Sequence, residues 1–392
     1  MVKSMDLSVA VAEFNPLHNG HKLLLERMKS CGDAAAVVMS GDFCQRGEAA
    51  VLDKYTRAKH AVLAGADIVF ELPTVFSVAP AEIFAKGAIK LLSSLRGKKT
   101  LFFGTETGER SDFIDLAEVT SVETKAFKEA LKNELSAGHP YALARVNAIK
   151  ATTENVDFGV LDNPNAILGL EYARAIKYFG SDMDIRPIKR DVRHDGDEIK
   201  GNICSALAVR KAVADGQKKN VKKFVPQFVY DDLPPSLPRF DDIVLFKLLE
   251  TSAKRLKEIT DCTEGLENRI KAFAVGAGSL NELIDKLETR RYTRARLQRI
   301  ITANMLGITS AFTEKCLKGE LYLRVLAVAE EKKNLLSELN CTKNKFVVRK
   351  SDTDKLSGVA LESFELDAFA NDVFGLIRGK KTNAYEVRII SR

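Results

Sequence analysis

"LSVAVAEFNPLHNGHKLLLERM", residues 7–28, sets an apolar run, a turn and an amphipathic segment end to end. Residues 7–12 are compact and apolar, closed by Glu13 and Asn15, which is the pattern of a buried parallel strand. Pro16 and the Asn19-Gly20 step mark a turn. Beyond it the spacing is helical, with Leu24, Leu25 and Met28 inward and Lys22, Glu26 and Arg27 outward. His18 and His21, two of only five histidines in the chain, flank the Asn-Gly step. They fall at the mouth of the helix, beyond the C-terminal end of the strand, where ligands bind in open α/β sheets. A helix N-terminus there offers unpaired N–H groups and a partial positive charge, so it suits a phosphate. Two imidazoles one turn apart face a common ligand, and Gly20 between them lets a base or phosphate approach the backbone. By spacing alone, an ordinary pair of helix-cap histidines stays open as a reading. A zinc pair lacks a nearby third ligand of the usual kind.

The alternation continues outward. Strands are expected at 34–40, 67–73, 98–106 and 184–190, and helices at 53–66, 81–95, 162–180 and 202–216. Residues 112–150 read as mostly helical and interrupt the series. The fold class is α/β: a Rossmann-like parallel sheet with helices on both faces. "QKKNVKKFVPQFVYDDLPPSLPRF" (217–240) is first basic and then proline-rich, a composition shift that suggests a boundary. The expected organisation is a catalytic domain over 1–220, with a helical insertion near 112–160, and a mainly helical C-terminal domain over 221–392. "NKFVVRK" in the latter reads as a short strand.

The chain has 392 residues, 45% hydrophobic and 29% charged, with a formal charge of +7. That is an ordinary globular composition with a mild leaning towards polyanions. Six cysteines are scattered without a CxxC or CxH pair, so neither a zinc site nor a disulfide framework is indicated. The N-terminal apolar stretch is too short for a signal peptide or membrane span, and the expected location is cytoplasmic.

"HNGH" after an N-terminal strand resembles the HxGH signature of the nucleotidyltransferase superfamily. The longer set "AEFNPLHNGH", "MSGDFCQRGEAA", "KYTRAKHAVLAGADIVFELP", "FFGTE", "NPNAILGLEYARA" and "RRYTRARLQRI" resembles the bacterial tRNA(Met) cytidine acetate ligases, over nearly the whole chain. The resemblance implies that ATP and acetate form acetyl-adenylate and pyrophosphate. The acetyl group then passes to N4 of the wobble cytidine of elongator tRNA(Met). His18 and His21 would be catalytic, stabilising charge at the α-phosphorus, and Mg²⁺ is expected with no identifiable ligands. By position, ATP would contact Val11, Glu13, Asn15, Pro16, His18, Gly20, His21, Gly104, Asn165 and Arg190. Ser205 and Arg210 match a phosphate-gripping helix start, although Leu207 stands where a hydroxyl is usual. Asn165 also reads as a helix N-cap.

The loop after the second strand would bring Asp42, Gln45 and Arg46 to the crevice, Arg46 to orient acetate or grip RNA phosphate. Lys54 and Arg57 on the next helix would serve phosphate or stand as solvated charges. Cys44 reads as passive, having no neighbour to lower its pKa. Arg290, Arg291 and Arg294, with Arg296, Arg299 and Tyr292, would lie within three turns of a helix and contact RNA. The runs 218–223 and 342–350 add further cations. Two other readings share parts of this pattern. One is a small-molecule adenylyltransferase, which leaves the basic C-terminal half unexplained. The other is a non-catalytic RNA-binding protein with a nucleotide fold.

Overall fold

The structure, a computed structural model, describes residues 5–121, 124–139, 141–153, 158–189, 204–237, 239–339 and 345–392. Arg190 lies outside the described residues, as do 342–344 of the last basic run. The opening stretch forms strand β1 (Asp6–Ala12) and helix α1 (Asn19–Lys29). Next come β2 (Ala34–Ser40), helix α2 (Lys54–Leu63), β3 (Ile68–Leu72), β4 (Lys98–Thr105) and β5 (Asp184–Lys189). These five strands are parallel and run β5-β4-β1-β2-β3 across the sheet. The order reverses between β1 and β4, and at such a switch point a crevice opens beyond the strand ends.

Pleating sorts the side chains between two cores. Ala34, Ala36 and Val38 of β2 join the core on one face, with helices Ala81–Ser94 and Pro164–Tyr178. Ala35, Val37 and Met39 join the core on the other face, with α1, α2 and helix Ala206–Ala214. A strand buried on both faces is apolar throughout, and β2 is buried at every position.

The sheet crosses the boundary expected near residue 220. β6 (Tyr322–Ala329), not anticipated as a strand, pairs antiparallel with β3, Ile68 opposite Val328 and Phe70 opposite Val325. β7 (Lys345–Val347) and β8 (Arg388–Ile390) both pair parallel with β6. "YLRVLAVA" shows no alternation because both of its faces are buried, and Arg324 within it is buried as well. Helices fill most of the rest of the C-terminal half.

Helix Arg294–Leu306 of that half packs on the loop between β2 and α2. Thr302 Oγ1 donates to the Gly47 carbonyl at 2.7 Å. Gly47 has φ +74°, and a Cβ there would collide with the backbone of Gln298 and Arg299.

Candidate functional site

A crevice of about 410 Å³ opens at the switch point. Val11, Ala12 and Glu13 come to it from the end of β1, Phe103 and Gly104 from β4, and Ile188 and Lys189 from β5. Gly20, His21, Leu24 and Arg27 come from α1, Cys44 to Arg46 and Glu48 from the β2–α2 loop, and Asn165, Leu168 and Tyr172 from helix Pro164–Tyr178.

The two histidines differ in placement. His18 is the N-cap of α1 and nearly fully buried; its Nδ1 accepts the Gly20 N–H at 3.1 Å. His21 lines the crevice, and its Nδ1 accepts the His18 N–H at 3.4 Å, which closes a capping box. The rings stack at 3.7 Å between centroids, and Phe14 packs edge-on to His21 at 5.1 Å. With Nδ1 accepting in both rings, each neutral imidazole carries its proton on Nε2 as a donor.

Both histidines therefore cap the helix, and His21 also lines the crevice. The backbone expectation changes, however. The Asn19 N–H donates to the Phe224 carbonyl at 2.9 Å, the Gly20 N–H to His18, and the His21 N–H to the His18 carbonyl at 2.9 Å. The first N–H groups of α1 are thus occupied from within the protein, so at this end of the crevice an anion would meet the His21 imidazole and the helix dipole.

The loop from Glu13 to Pro16 is held firmly. Arg57, fully buried, donates to the carbonyls of Glu13 (2.6 Å), Ser40 (3.0 Å), Leu52 (2.9 Å) and Gly41. Asn15 Oδ1 accepts the Val51 N–H at 2.8 Å, and Arg210 donates to the Asn15 carbonyl at 2.9 Å. Pro16, joined to Asn15 by a cis peptide bond, is buried and does not line the crevice. Glu13 accepts the Gln45 N–H at 2.6 Å; burial pushes its carboxyl above the ordinary range, against the lowering by that hydrogen bond and by Arg210.

Other expected residues divide between the crevice and the interior. Gly104, Asn165, Gln45, Arg46 and Arg210 line the crevice. Asn165 is not the cap of its helix, which is Asn163; its side chain donates to Glu106. Ser205 caps helix Ala206–Ala214 by accepting the Ala208 N–H at 3.0 Å, and it is buried. Arg210 pairs with Glu48 at 3.2 Å. The thiol of Cys44 is pushed well up by burial and by Glu13, so it is a poor nucleophile, in keeping with a passive role.

Asp42, Lys54 and Arg57 do not face the crevice. Asp42 Oδ1 accepts the Lys54 N–H at 3.0 Å, and Oδ2 accepts from Asn371 at 2.8 Å. The Lys54 ammonium lies 2.7 Å from Glu71, itself 2.9 Å from Arg324. All four charged groups are buried. In sequence Lys54 reads as a charge on the face of a helix; Arg324 of β6 and Asn371 of helix Gly358–Arg378, brought over this region, place it and Asp42 in the interior.

The arginine run is also altered. Residues 290–292 form a bend, Thr293 is the N-cap, and the helix begins at Arg294. Arg291 pairs with Glu264, Arg294 with Asp285 (2.7 Å) and Glu288 (3.4 Å), and Arg299 lies 3.9 Å from Asp261. Arg290 is exposed.

Sequence reasoning passed over Arg27, Leu168 and Tyr172. Helical spacing could have found them, since 20, 24 and 27 share a face of α1, as 165, 168 and 172 share a face of theirs.

Known proteins share the sequence pattern and the overall fold. The family described as HIGH Nucleotidyl Transferase matches residues 5–387. A protein from Thermoanaerobacter sp. (strain X514), named tRNA(Met) cytidine acetate ligase, is 33% identical over 381 residues, covering 93% of this chain and 94% of its own. One of the same name from Clostridium acetobutylicum is 32% identical over 391 residues, covering 95% and 96%. The crystal structure of Thermotoga maritima TmcAL bound with alpha-thio ATP superposes with a TM-score of 0.89 at 26% identity, over 99% of this chain and 100% of that one. A chain matched from end to end, with HNGH at the sheet's switch point, belongs to the tRNA(Met) cytidine acetate ligase family of HIGH nucleotidyl transferases.

Proposed function

We propose that this protein activates acetate with ATP and transfers the acetyl group to N4 of the wobble cytidine of elongator tRNA(Met). One observation carries the chemistry: His21 lines the crevice with Nδ1 accepting a backbone N–H, so its Nε2–H is a donor fixed in direction by α1. An acetate oxygen attacks the α-phosphorus, and the bond to the pyrophosphate oxygen breaks. Negative charge builds on the phosphoryl oxygens, and a positioned donor stabilises it there more than in the ground state. His18 acts through His21, stacked on it and capping the same helix. The cytidine amine then attacks the acyl carbon, AMP departs with the bonding pair, and an N4 proton is released.

Gly104, Asn165, Phe103 and Tyr172 form the wall proposed for the nucleoside, and the α1 end the wall for the phosphates. Arg46, from the β2–α2 loop, supplies the cation proposed for the acetate carboxylate. Arg210 braces Asn15, and a triphosphate would have to compete with Glu48 for it. Magnesium, expected from the resemblance, finds no fitting ligand set among the described residues. The crevice carboxylates are Glu13, engaged by Gln45, and Glu48, engaged by Arg210. No group of three or more His, Cys, Asp or Glu among the described residues could hold a metal. No helix among them is long and apolar enough to cross a membrane. The substrates are cytoplasmic, and so is the protein in this proposal.

The test is acetate-dependent ATP–pyrophosphate exchange, with formate and propionate as comparators, followed by acetyl transfer to tRNA(Met). Exchange with acetate and a modified cytidine support the proposal. A folded protein with no exchange for any acid overturns it.

A further inference from the structure

The segment that follows helix Ala206–Ala214 is basic and built against the start of α1. Asn19, one of the two residues between the histidines, donates its N–H to the Phe224 carbonyl and its side-chain amide to the Lys223 carbonyl, both at 2.9 Å. Val221, Phe224, Val225 and Val229 are buried in the core beneath α1 and α2, so the segment is anchored. Lys219, Lys222 and Lys223 are exposed on it. None of the three pairs with a carboxylate among the described residues. The acids of the next turn are engaged elsewhere: Asp232 by Lys59 and His60, Asp231 by Gln227. Two aromatic rings hold the cations in place: the Lys222 ammonium lies 5.6 Å from the Tyr230 ring centre, and that of Lys223 lies 4.9 Å from the Phe224 ring centre. The contrast with residues 291–299 is plain, for there Arg291, Arg294 and Arg299 all have acidic partners.

We infer that Lys219, Lys222 and Lys223 form the phosphate-binding surface on which the RNA substrate docks, beside the histidine end of the crevice. The inference rests on the function proposed above. Anchored cations without carboxylate partners attract a polyanion and release its counterions as it docks. Hydrogen-bonding their backbone to Asn19 ties the docking surface to the helix that presents His21. A phosphate chain seated there is brought to the crevice mouth, so that one unstacked base can enter.

The test uses the full chain with tRNA(Met) transcript. In the Lys219→Ala, Lys222→Ala, Lys223→Ala triple variant, tRNA should bind about tenfold or more weakly at low salt. The slope of log K against log salt should be shallower by about 2, at roughly 0.7–0.9 for each phosphate no longer neutralised. The matching triple arginine variant should bind as the parent does. Wild-type affinity and slope in the alanine variant would overturn the inference. Amine-reactive footprinting of the unmodified protein gives a second reading independent of the variants. Protection of these lysines by tRNA, and not by ATP alone, is expected; equal labelling with and without tRNA would overturn the inference. If the parent acetylates tRNA while both tests fail, the docking surface is wrong and the function stands. If the parent shows neither exchange nor acetylation, the function itself is wrong and the inference falls with it.

Discussion

The crevice at the switch point and the charge cluster under β6 use the same residue types and share one loop. From residues 41–50, Gln45, Arg46 and Glu48 go to the crevice, while Asp42 goes to the cluster with Lys54, Glu71 and Arg324. In the crevice the charges meet solvent on one side and can exchange partners for a ligand. In the cluster every charge is matched from within the protein. Burial pushes the Lys54 ammonium down, as does Arg324, yet Glu71 and Asp42 outweigh both and hold it above its ordinary value. Position relative to the last-added strand, rather than residue type, separates chemistry from architecture here.

The largest effect expected is structural. Lys54→Met leaves Asp42 buried without a cation and Glu71 with Arg324 alone, and should cost about 3–5 kcal/mol in denaturant unfolding. Adding Asp42→Asn, which removes the carboxylate left unpaired, should recover part of that loss. A double variant as unstable as the sum of the two singles would contradict a matched cluster. Next comes His21→Ala, expected to slow acetate-dependent exchange by about 10²–10³-fold, roughly 2.7–4 kcal/mol of barrier. Its unfolding midpoint should stay near the parent's. Normal exchange by this folded variant would move the chemistry away from the crevice histidine.

A pH experiment separates the two regions further. Burial, then Glu71, push the Asp367 carboxyl up to about 7, against Lys54. Its Oδ1 accepts the Thr74 N–H at 2.7 Å, and Tyr322 donates to Oδ2. The folded state therefore holds a proton that the unfolded chain gives up near pH 4. This group's contribution to stability is full below about pH 4 and is lost as pH rises to about 7. Unfolding measured from pH 4 to 8 should show that fall in the parent and a flatter profile in Asp367→Asn. The smallest effect is expected at the arginine bend. The Arg291→Ala, Arg294→Ala double variant should change the salt slope of tRNA binding by less than 1, since both side chains already meet carboxylates and exposed pairs contribute little. A change as large as that of the lysine variant would return the RNA surface to that bend.

Legibility followed the range of the interactions involved. β2 and β3 were readable because a strand buried on both faces needs a continuous apolar run, bounded here by turn residues, whereas β5, a half-buried edge strand, was readable only from its place in the alternation. His18, Gly20 and His21 were readable because strand, turn and helix lie within 22 residues. β6 escaped because "YLRVLAVA" carries an arginine that looks exposed until Glu71, 253 positions earlier, is placed against it. The occupied N–H of Asn19 escaped for a similar reason, its acceptor being Phe224.

Local features were written in the sequence: the strand–turn–helix start, the alternation that makes a parallel sheet, and the histidine pair at the helix mouth. Those depend on periodicity and on turn chemistry between near neighbours. Tertiary packing settled which charges are solvated and which are matched in the interior, and that only His21 of the pair lines the crevice. It also settled that the C-terminal half completes the sheet. Burial is set by what packs over a residue, and at Asp42, Lys54 and the β2–α2 loop the covering elements come from more than 240 residues further along the chain.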